Sequence, residues 1–338
     1  MITMTTTPTN NTFPKIAVIG AGLSGITVAR SLENDAEVTI FEKSRGVGGR
    51  MATRRNGPHA FDHGAQYFTI RSQEFKAFIQ PLIESGIIAP WEAQHAQYDG
   101  SQIVDTDRWK TGESRYVGVP GMNSVVKHLS NGITILRNTR ITSLTKEEKW
   151  ILKDEQDQRH GEFDWVISTI PAPQAKLLLP PTASYYADIA AVSMRSCFAV
   201  MLGFADPPPI THQVIHIKNA DISWIALNSH KPGRANTHTV VIHSSEEYAE
   251  AHSNADHDKI SKHLCSEVQR ITGIALDSAI HTAVHLWRYA NNATREPLPV
   301  FIDYDLQLAS CGDWCCGGRV EGAFTSSYRI VQEINRVL

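Results

Sequence analysis

The sequence predicts an α/β protein: a mainly parallel sheet flanked by helices, with an inserted α+β domain that contains a mixed sheet. Three observations predict it. The chain opens with a short apolar strand, a glycine-rich turn, a helix and a second strand, the pattern of a βαβ unit. Residues 194–243 hold four further β-like runs, which read as a second sheet. Between these blocks FDWVISTIP is an apolar strand that returns toward the first sheet, so the second sheet is an insertion. At 338 residues the chain exceeds one simple core, in keeping with two intertwined domains.

KIAVIG is a continuous apolar run, as expected of a parallel strand buried on both faces. Leu23, Ile26 and Ala29 then recur at helical spacing, and EVTIFEK is the second strand. KSRGVGGRMATRR is too rich in special residues for a regular element. Ser72 starts a helix carrying Phe75, Phe78, Ile79 and Leu82, which Pro81 should bend or end early. Trp91 to Val119 is polar and mixed, with weak strand signals. GMNSVVKHLSNG predicts a short helix stopped by Asn131-Gly132, and ITIL, RITSLTKE and KWILKDE predict a β-meander. SCFAVMLGF, QVIHIK, ISWIAL and THTVVIH are the runs of the second sheet. Ile260, Leu264, Val268 and Ile271 share a helical face, LQLASCG is a late strand, and RVEGAFTSSYRIVQEINRVL is a final helix.

Composition narrows the function classes. Hydrophobic residues make up 42% and charged residues 20%, ordinary for a globular protein. A formal net charge of −3 offers no basic excess for phosphate backbones, so nucleic acid is not an expected partner. No apolar run approaches the ~18 residues of a membrane span. The opening MITMTTTPTNNT lacks the basic start and apolar centre of a signal peptide; it reads as a disordered tail and makes a cytoplasmic location the expectation. Five cysteines argue against a disulfide framework. Cys311, Cys315 and Cys316 cluster without a second pair or a flanking His at ligand spacing, so no metal is expected.

Gly20-Ala21-Gly22-Leu23-Ser24-Gly25 fits G-x-G-x-x-G between a strand and a helix, the Rossmann-type fingerprint. Gly20 permits the tight turn, Gly22 lets a pyrophosphate approach the backbone, and Gly25 lets the helix pack on the sheet. The helix N-terminus offers free N–H groups to phosphate. Glu42 ends the second strand 22 positions after Gly20, where a carboxylate binds ribose hydroxyls and repels a 2′-phosphate. The fingerprint alone serves NAD or FAD. A second glycine loop, with Gly48, Gly49 and Arg50, and a C-terminal strand end carrying Asp313 before a helix opened by Gly322-Ala323 favour FAD. An aspartate there suits a ribityl chain, and the helix end suits negative charge on a reduced flavin.

With EKSRGVGGRMATRR, FDHGAQYFT, GVPGMNSVVKHL, VISTIPAPQA, KPGR, HLWRYA and CGDWCCGGRVEGA, the chain resembles the renalase-like family of the FAD-dependent amine oxidase superfamily. The resemblance implies a glutathione-reductase-type FAD fold with a substrate domain built from insertions. It implies FAD-site roles for Gly20, Gly22, Gly25, Glu42, Arg50, Gln66 and Asp313, and for Ile141 as the residue whose backbone meets the adenine. It also implies FAD held without a covalent link, although some relatives attach flavin through a cysteine. The domains expected are a tail over 1–13, an FAD-binding domain over 14–72, 120–180 and 300–338, and a substrate domain over 73–119 and 181–299.

A flavin that accepts a hydride at N5 asks little of the protein beyond position, and no catalytic triad is evident. His243 matches a family position over the flavin; its alternative role is a hydrogen-bonded strand-end histidine. Trp287 and Tyr289 share one strand face and could flank a flat ring or pack a core. Gln66 and Tyr67 suit a flavin edge or a substrate. Asp62 and His63 beside them could serve only to shape the loop. The resemblance implies oxidation of misformed dihydro-NAD(P) isomers by hydride transfer, with oxygen as acceptor and hydrogen peroxide as product. The alternatives are a flavin-containing amine oxidase and a non-catalytic flavin-binding protein. An aromatic monooxygenase lacks its D-G motif here, and a disulfide reductase lacks its C-x4-C pair.

Overall fold

The computed structural model describes residues 13–109, 114–294 and 296–338. Residues 1–12 of the expected tail lie outside them. The chain opens with β1 (Lys15–Ile19), α1 (Leu23–Ser31) and β2 (Glu37–Glu42). A ribbon of β3 (Thr53–Asn56) and β4 (His59–Asp62) leads to α2 (Gln73–Glu84). Next come β5 (Ile88–Pro90), β6 (Gln94–Asp99), β7 (Gln102–Arg108), β8 (Tyr116–Gly118), α3 (Asn123–Leu129) and β9 (Thr134–Arg137). β10 (Ile141–Lys146), β11 (Trp150–Asp154) and β12 (Arg159–Phe163) precede β13 (Trp165–Ser168), α4 (Ala172–Leu178) and α5 (Tyr186–Ala191). The second sheet arrives with β14 (Met194–Phe204), β15 (Val214–Lys218), β16 (Ile222–Leu227) and β17 (His238–Ser244). α6 (Glu246–Ala251), α7 (His257–Thr272), β18 (His281–Asn292), β19 (Phe301–Asp303), β20 (Leu308–Ser310) and α8 (Val320–Ile334) complete the chain.

The first sheet has strand order β19-β20-β13-β1-β2-β9 and is parallel except at β19–β20. Alternation decides its two faces. Ile16, Val18, Ile40 and Ile167 pack with α1, α3 and α8, while Ala17, Ile19, Phe41 and Val166 pack with α4, α5 and the meander. α2 joins the first of these cores through Phe75, Ile79 and Leu82. ITIL departs from the expected meander. As β9 it pairs parallel with β2, and β12 supplies the third meander strand. Its apolar run suits a parallel sheet edge as well as a hairpin, so the pattern alone could not separate them. Pro81 does not end α2, which continues to Glu84, because an amphipathic face anchored by Ile79 and Leu82 outweighs one lost backbone bond.

The second sheet is mixed, with order β18-β14-β17-β16-β15-β6-β7 and one parallel pair, β15–β6. One face, with Phe198, Val200, Val240, Ile242 and Leu286, packs against Ile260, Leu264, Val268 and Ile271 of α7. By the period of two, the opposite face carries Cys197, Val241, His243, His285 and Trp287. That face meets β4 and looks back toward the first sheet. Among the described residues no helix is long and apolar enough to cross a membrane.

Candidate active site

One cavity of about 1,910 Å³ runs from the first glycine turn to the polar face of the second sheet. It is roughly twice the upper end of ordinary small-molecule pockets, room for a dinucleotide and a second ligand together. At one end Gly20 has φ +107, the left-handed region that a side chain resists, and a Cβ on Gly22 would meet only open space. Gly25 does not line the cavity. Its Cβ would fall 2.0 Å from the Gly20 carbonyl, so it is the contact between helix and turn. The α1 N-terminus, whose first N–H groups lack intrahelical partners, points into this end. Glu42 accepts the Ala21 N–H at 2.8 Å and the Ser44 N–H at 2.7 Å, which binds the strand end to both sides of the turn. Ile141 lines the same end.

Gly48 and Gly49 line the middle of the cavity, both at positive φ. Arg50 pairs with Asp313 through two hydrogen bonds and donates to the Ala290 carbonyl at 3.0 Å. The guanidinium therefore ties the glycine loop to the C-terminal motif and to β18. Asp313 sits in a single 3-10 turn after β20 rather than at the strand end itself. α8 starts at Val320, two residues before the expected opening. Ala323 lines the cavity but Gly322 does not: it packs under the Asp313 carbonyl and Cys316.

The far end is a wall of rings. His243, His285, Trp287 and Tyr289 line it together with His63 and Cys197. The His63 carbonyl accepts both the Trp287 indole N–H at 2.9 Å and His243 Nε2 at 3.1 Å, which fixes the His243 proton on Nε2. The His63 ring lies 5.0 Å from Trp287 and 5.1 Å from His285. Burial pushes His63 and His243 down to about 4, so both imidazoles are neutral at physiological pH. Burial likewise pushes the Cys197 thiol up to about 12.

Gln66 does not line the cavity. Its amide nitrogen donates to the Asp62 and Gly64 carbonyls and its oxygen accepts Lys231 Nζ at 3.1 Å. It braces the loop from behind. Asp62 anchors that loop as a fully buried carboxylate, accepting Thr53 Oγ1 at 2.7 Å and the Met122 N–H at 3.0 Å. It pairs with Arg234, and with Lys231 at 3.5 Å. These cations hold its carboxyl below the usual range despite burial, while burial pushes Lys231 down to about 8. The pattern HTAVHLWRYA contained a sign of His285: extending the Trp287/Tyr289 alternation two residues back reaches it. The motif KPGR carries Lys231 and Arg234, but no sequence period tied them to Asp62, which they meet only through the fold.

The glycine turn, the facing carboxylate and the second glycine loop define a dinucleotide-dependent oxidoreductase, and the residues present fit FAD. Residues 95–335 match the profile of the flavin containing amine oxidoreductase family, and residues 18–82 match an NAD(P)-binding Rossmann-like domain. The chain belongs to the flavin containing amine oxidoreductase family and is an FAD-dependent oxidoreductase. A 4,4'-diapophytoene desaturase from Staphylococcus aureus (strain Newman) is 49% identical over 51 residues, 15% of this chain. That match spans 10% of the desaturase's length. A protein assigned as a protoporphyrinogen oxidase from Exiguobacterium sp. 255-15 shares the fold, with TM-score 0.74 and 13% identity over 96% of this chain and 99% of its own. Wild-type putrescine oxidase bound to putrescine is similar, with TM-score 0.69 and 12% identity over the same shares of the two chains.

Proposed function

We propose that the chain oxidises dihydronicotinamide nucleotides reduced at the wrong ring position, with oxygen as final acceptor. The observation that carries this is the charge balance of the cavity. Eleven Lys or Arg residues line it against three carboxylates, Glu42, Asp313 and Glu321. All three are engaged: Glu42 by backbone N–H groups, Asp313 by Arg50, and Glu321 by Arg71 N–H and Ser72. An ammonium substrate finds no free counter-charge here, whereas a nucleotide's phosphates do.

FAD, when bound, supplies two-electron acceptance and return of the electrons to oxygen as hydrogen peroxide. The chain's part is to bind and orient. Gly20, Gly22, Gly48, Gly49 and Glu42 would hold the adenine dinucleotide, with Ile141 at the adenine and Arg50, Asp313 and Ala323 toward the flavin. Trp287, Tyr289 and His243 would face the substrate ring. Loss of hydride from a dihydronicotinamide yields an aromatic cation and needs no base, which suits imidazoles with little affinity for protons. Neutral rings also avoid repelling the cation that forms. Positioning alone can supply much of the acceleration.

The domain division proposed above, 14–72, 120–180 and 300–338 against 73–119 and 181–299, places the cavity between the two parts. Neither Cys315 nor Cys316 lines the cavity, which supports FAD held without a covalent link; acid precipitation should release the flavin. Five free cysteines suit a cytoplasmic location. The test of function is rapid-mixing flavin reduction without oxygen. Fast bleaching by a dihydronicotinamide isomer and slow bleaching by amines is expected. The reverse order would replace this reading with an amine oxidase, the reading that the family profile favours.

A further inference from the structure

We propose that Arg54 forms an anion subsite at the mouth of the ring wall and takes a phosphate of the substrate. This deepens the functional reading above and rests on it. β3 and β4 pair with Arg54 opposite Phe61, so the two side chains share one ribbon face. That face is turned toward β18: the Phe61 ring lies 5.7 Å from His281, and Asn56, two residues along, hydrogen-bonds His281 at 3.1 Å. Arg54 is exposed and lines the cavity beside His63 and His285. Its charge reaches both rings. It adds to burial in holding His285 down, and it contributes to the same shift in His63 after burial and the His285 charge.

The Arg54 side chain makes no hydrogen bond or ion pair with any described residue. Two other arginines near the loop are by contrast engaged. Arg50 is committed to Asp313, and Arg234 to Asp62. A guanidinium with all its donors free, placed beside neutral rings, offers bidentate recognition to a phosphate while the wall receives a flat ring. The depressed histidines cannot serve as the anion's counter-charge; among the arginines lining the cavity, Arg54 is the one whose charge reaches both His63 and His285. Two phosphates could occupy the subsite: the 5′-phosphate common to all nicotinamide nucleotides, or the 2′-phosphate of the NADP type.

The experiment uses FAD-loaded enzyme and four reduced-isomer substrates: the riboside, the mononucleotide, the dinucleotide and its 2′-phosphorylated form. Flavin reduction without oxygen gives the half-saturation of each. Quenching of tryptophan fluorescence gives the affinity for the oxidised mononucleotide and riboside without turnover. A charge-assisted bidentate contact should favour the mononucleotide over the riboside by about tenfold or more in the wild type. Arg54→Gln should compress that ratio to within about twofold in both measurements, since the contact is then a weaker neutral one. If the ratio compressed is instead that between the two dinucleotides, the subsite takes the 2′-phosphate. Arg159→Gln, which removes an exposed guanidinium on β12, should leave every ratio as in the wild type. Ratios unchanged by Arg54→Gln would refute the subsite while leaving the substrate class standing. A wild type that oxidises none of the four would remove the functional reading and the subsite with it.

Discussion

Asp62→Asn tests the network that holds the ring wall. Asparagine keeps the shape, and its side-chain oxygen can still accept Thr53 Oγ1 and the Met122 N–H. What is lost is the charge opposite Lys231 and Arg234, whose side chains are 0% and 3% exposed. Removing one partner of a buried ion pair costs about 3–5 kcal/mol, because the remaining charge stays desolvated and uncompensated. At about 2.1 cal/mol/K per residue, 338 residues give an unfolding entropy of about 0.7 kcal/mol/K, so melting should fall by about 4–7 °C. The assay is thermal unfolding of the FAD-loaded protein followed by circular dichroism. The double variant Asp62→Asn with Lys231→Met, which also removes one stranded cation, should recover part of the loss. A single-variant shift under about 1 °C would refute the assignment of Asp62 as the anchor, since so small a change is below the lowest cost of a broken buried pair.

Two further outcomes follow from the geometry. Glu42→Gln replaces an acceptor of two backbone N–H groups and of the expected ribose bonds, so FAD affinity measured by equilibrium dialysis should fall at least about tenfold; unchanged affinity would mean that Glu42 does not bear on the ribose. His63, His216 and His243 are held down to about 4 by burial, whereas unfolded histidine titrates near 6.5, so the unfolded state binds more protons between those values. Stability should therefore fall as pH drops from about 6.5 to about 4, by up to about 1.4 kcal/mol per pH unit for each histidine, and a melting temperature flat over that window would contradict neutral buried rings.

What the sequence displayed and what it concealed divide along a physical line. The nucleotide end was legible because its chemistry is local. Gly20, Gly22 and Gly25 act within one turn, and Glu42 reaches that turn from the next strand, so spacing alone predicts the arrangement. His243, Trp287 and Tyr289 were legible as strand-face residues, because alternation along β17 and β18 decides which way they point. The surroundings of Gln66 were not legible, for the opposite reason. Its amide has the chemistry of a ligand contact, yet three partners within the protein consume it: the Asp62 and Gly64 carbonyls and Lys231 Nζ. Only the fold reveals that Lys231, 165 positions away, stands behind it.

The same distinction orders the site by function. At the ring wall the groups that touch the cavity are neutral rings, and the charges that hold them in place lie one layer deeper. Asp62, Lys231 and Arg234 cluster behind the loop that begins at His63, and the His63 carbonyl passes their rigidity to Trp287 and His243 through two hydrogen bonds. An unpaired carboxylate at the ring wall would have favoured ammonium substrates and raised neighbouring histidines toward protonation. Kept behind the loop and already paired with two cations, Asp62 does neither, and the wall keeps its neutral face. Among the cations that reach the cavity, Lys43, Arg45 and Arg50 stand beside the glycine turns and Arg54 beside the ring wall. Under the proposed function, a neutral ring wall at one end with cations beside the glycine turns and at Arg54 suits a flat, phosphate-bearing substrate better than a small amine.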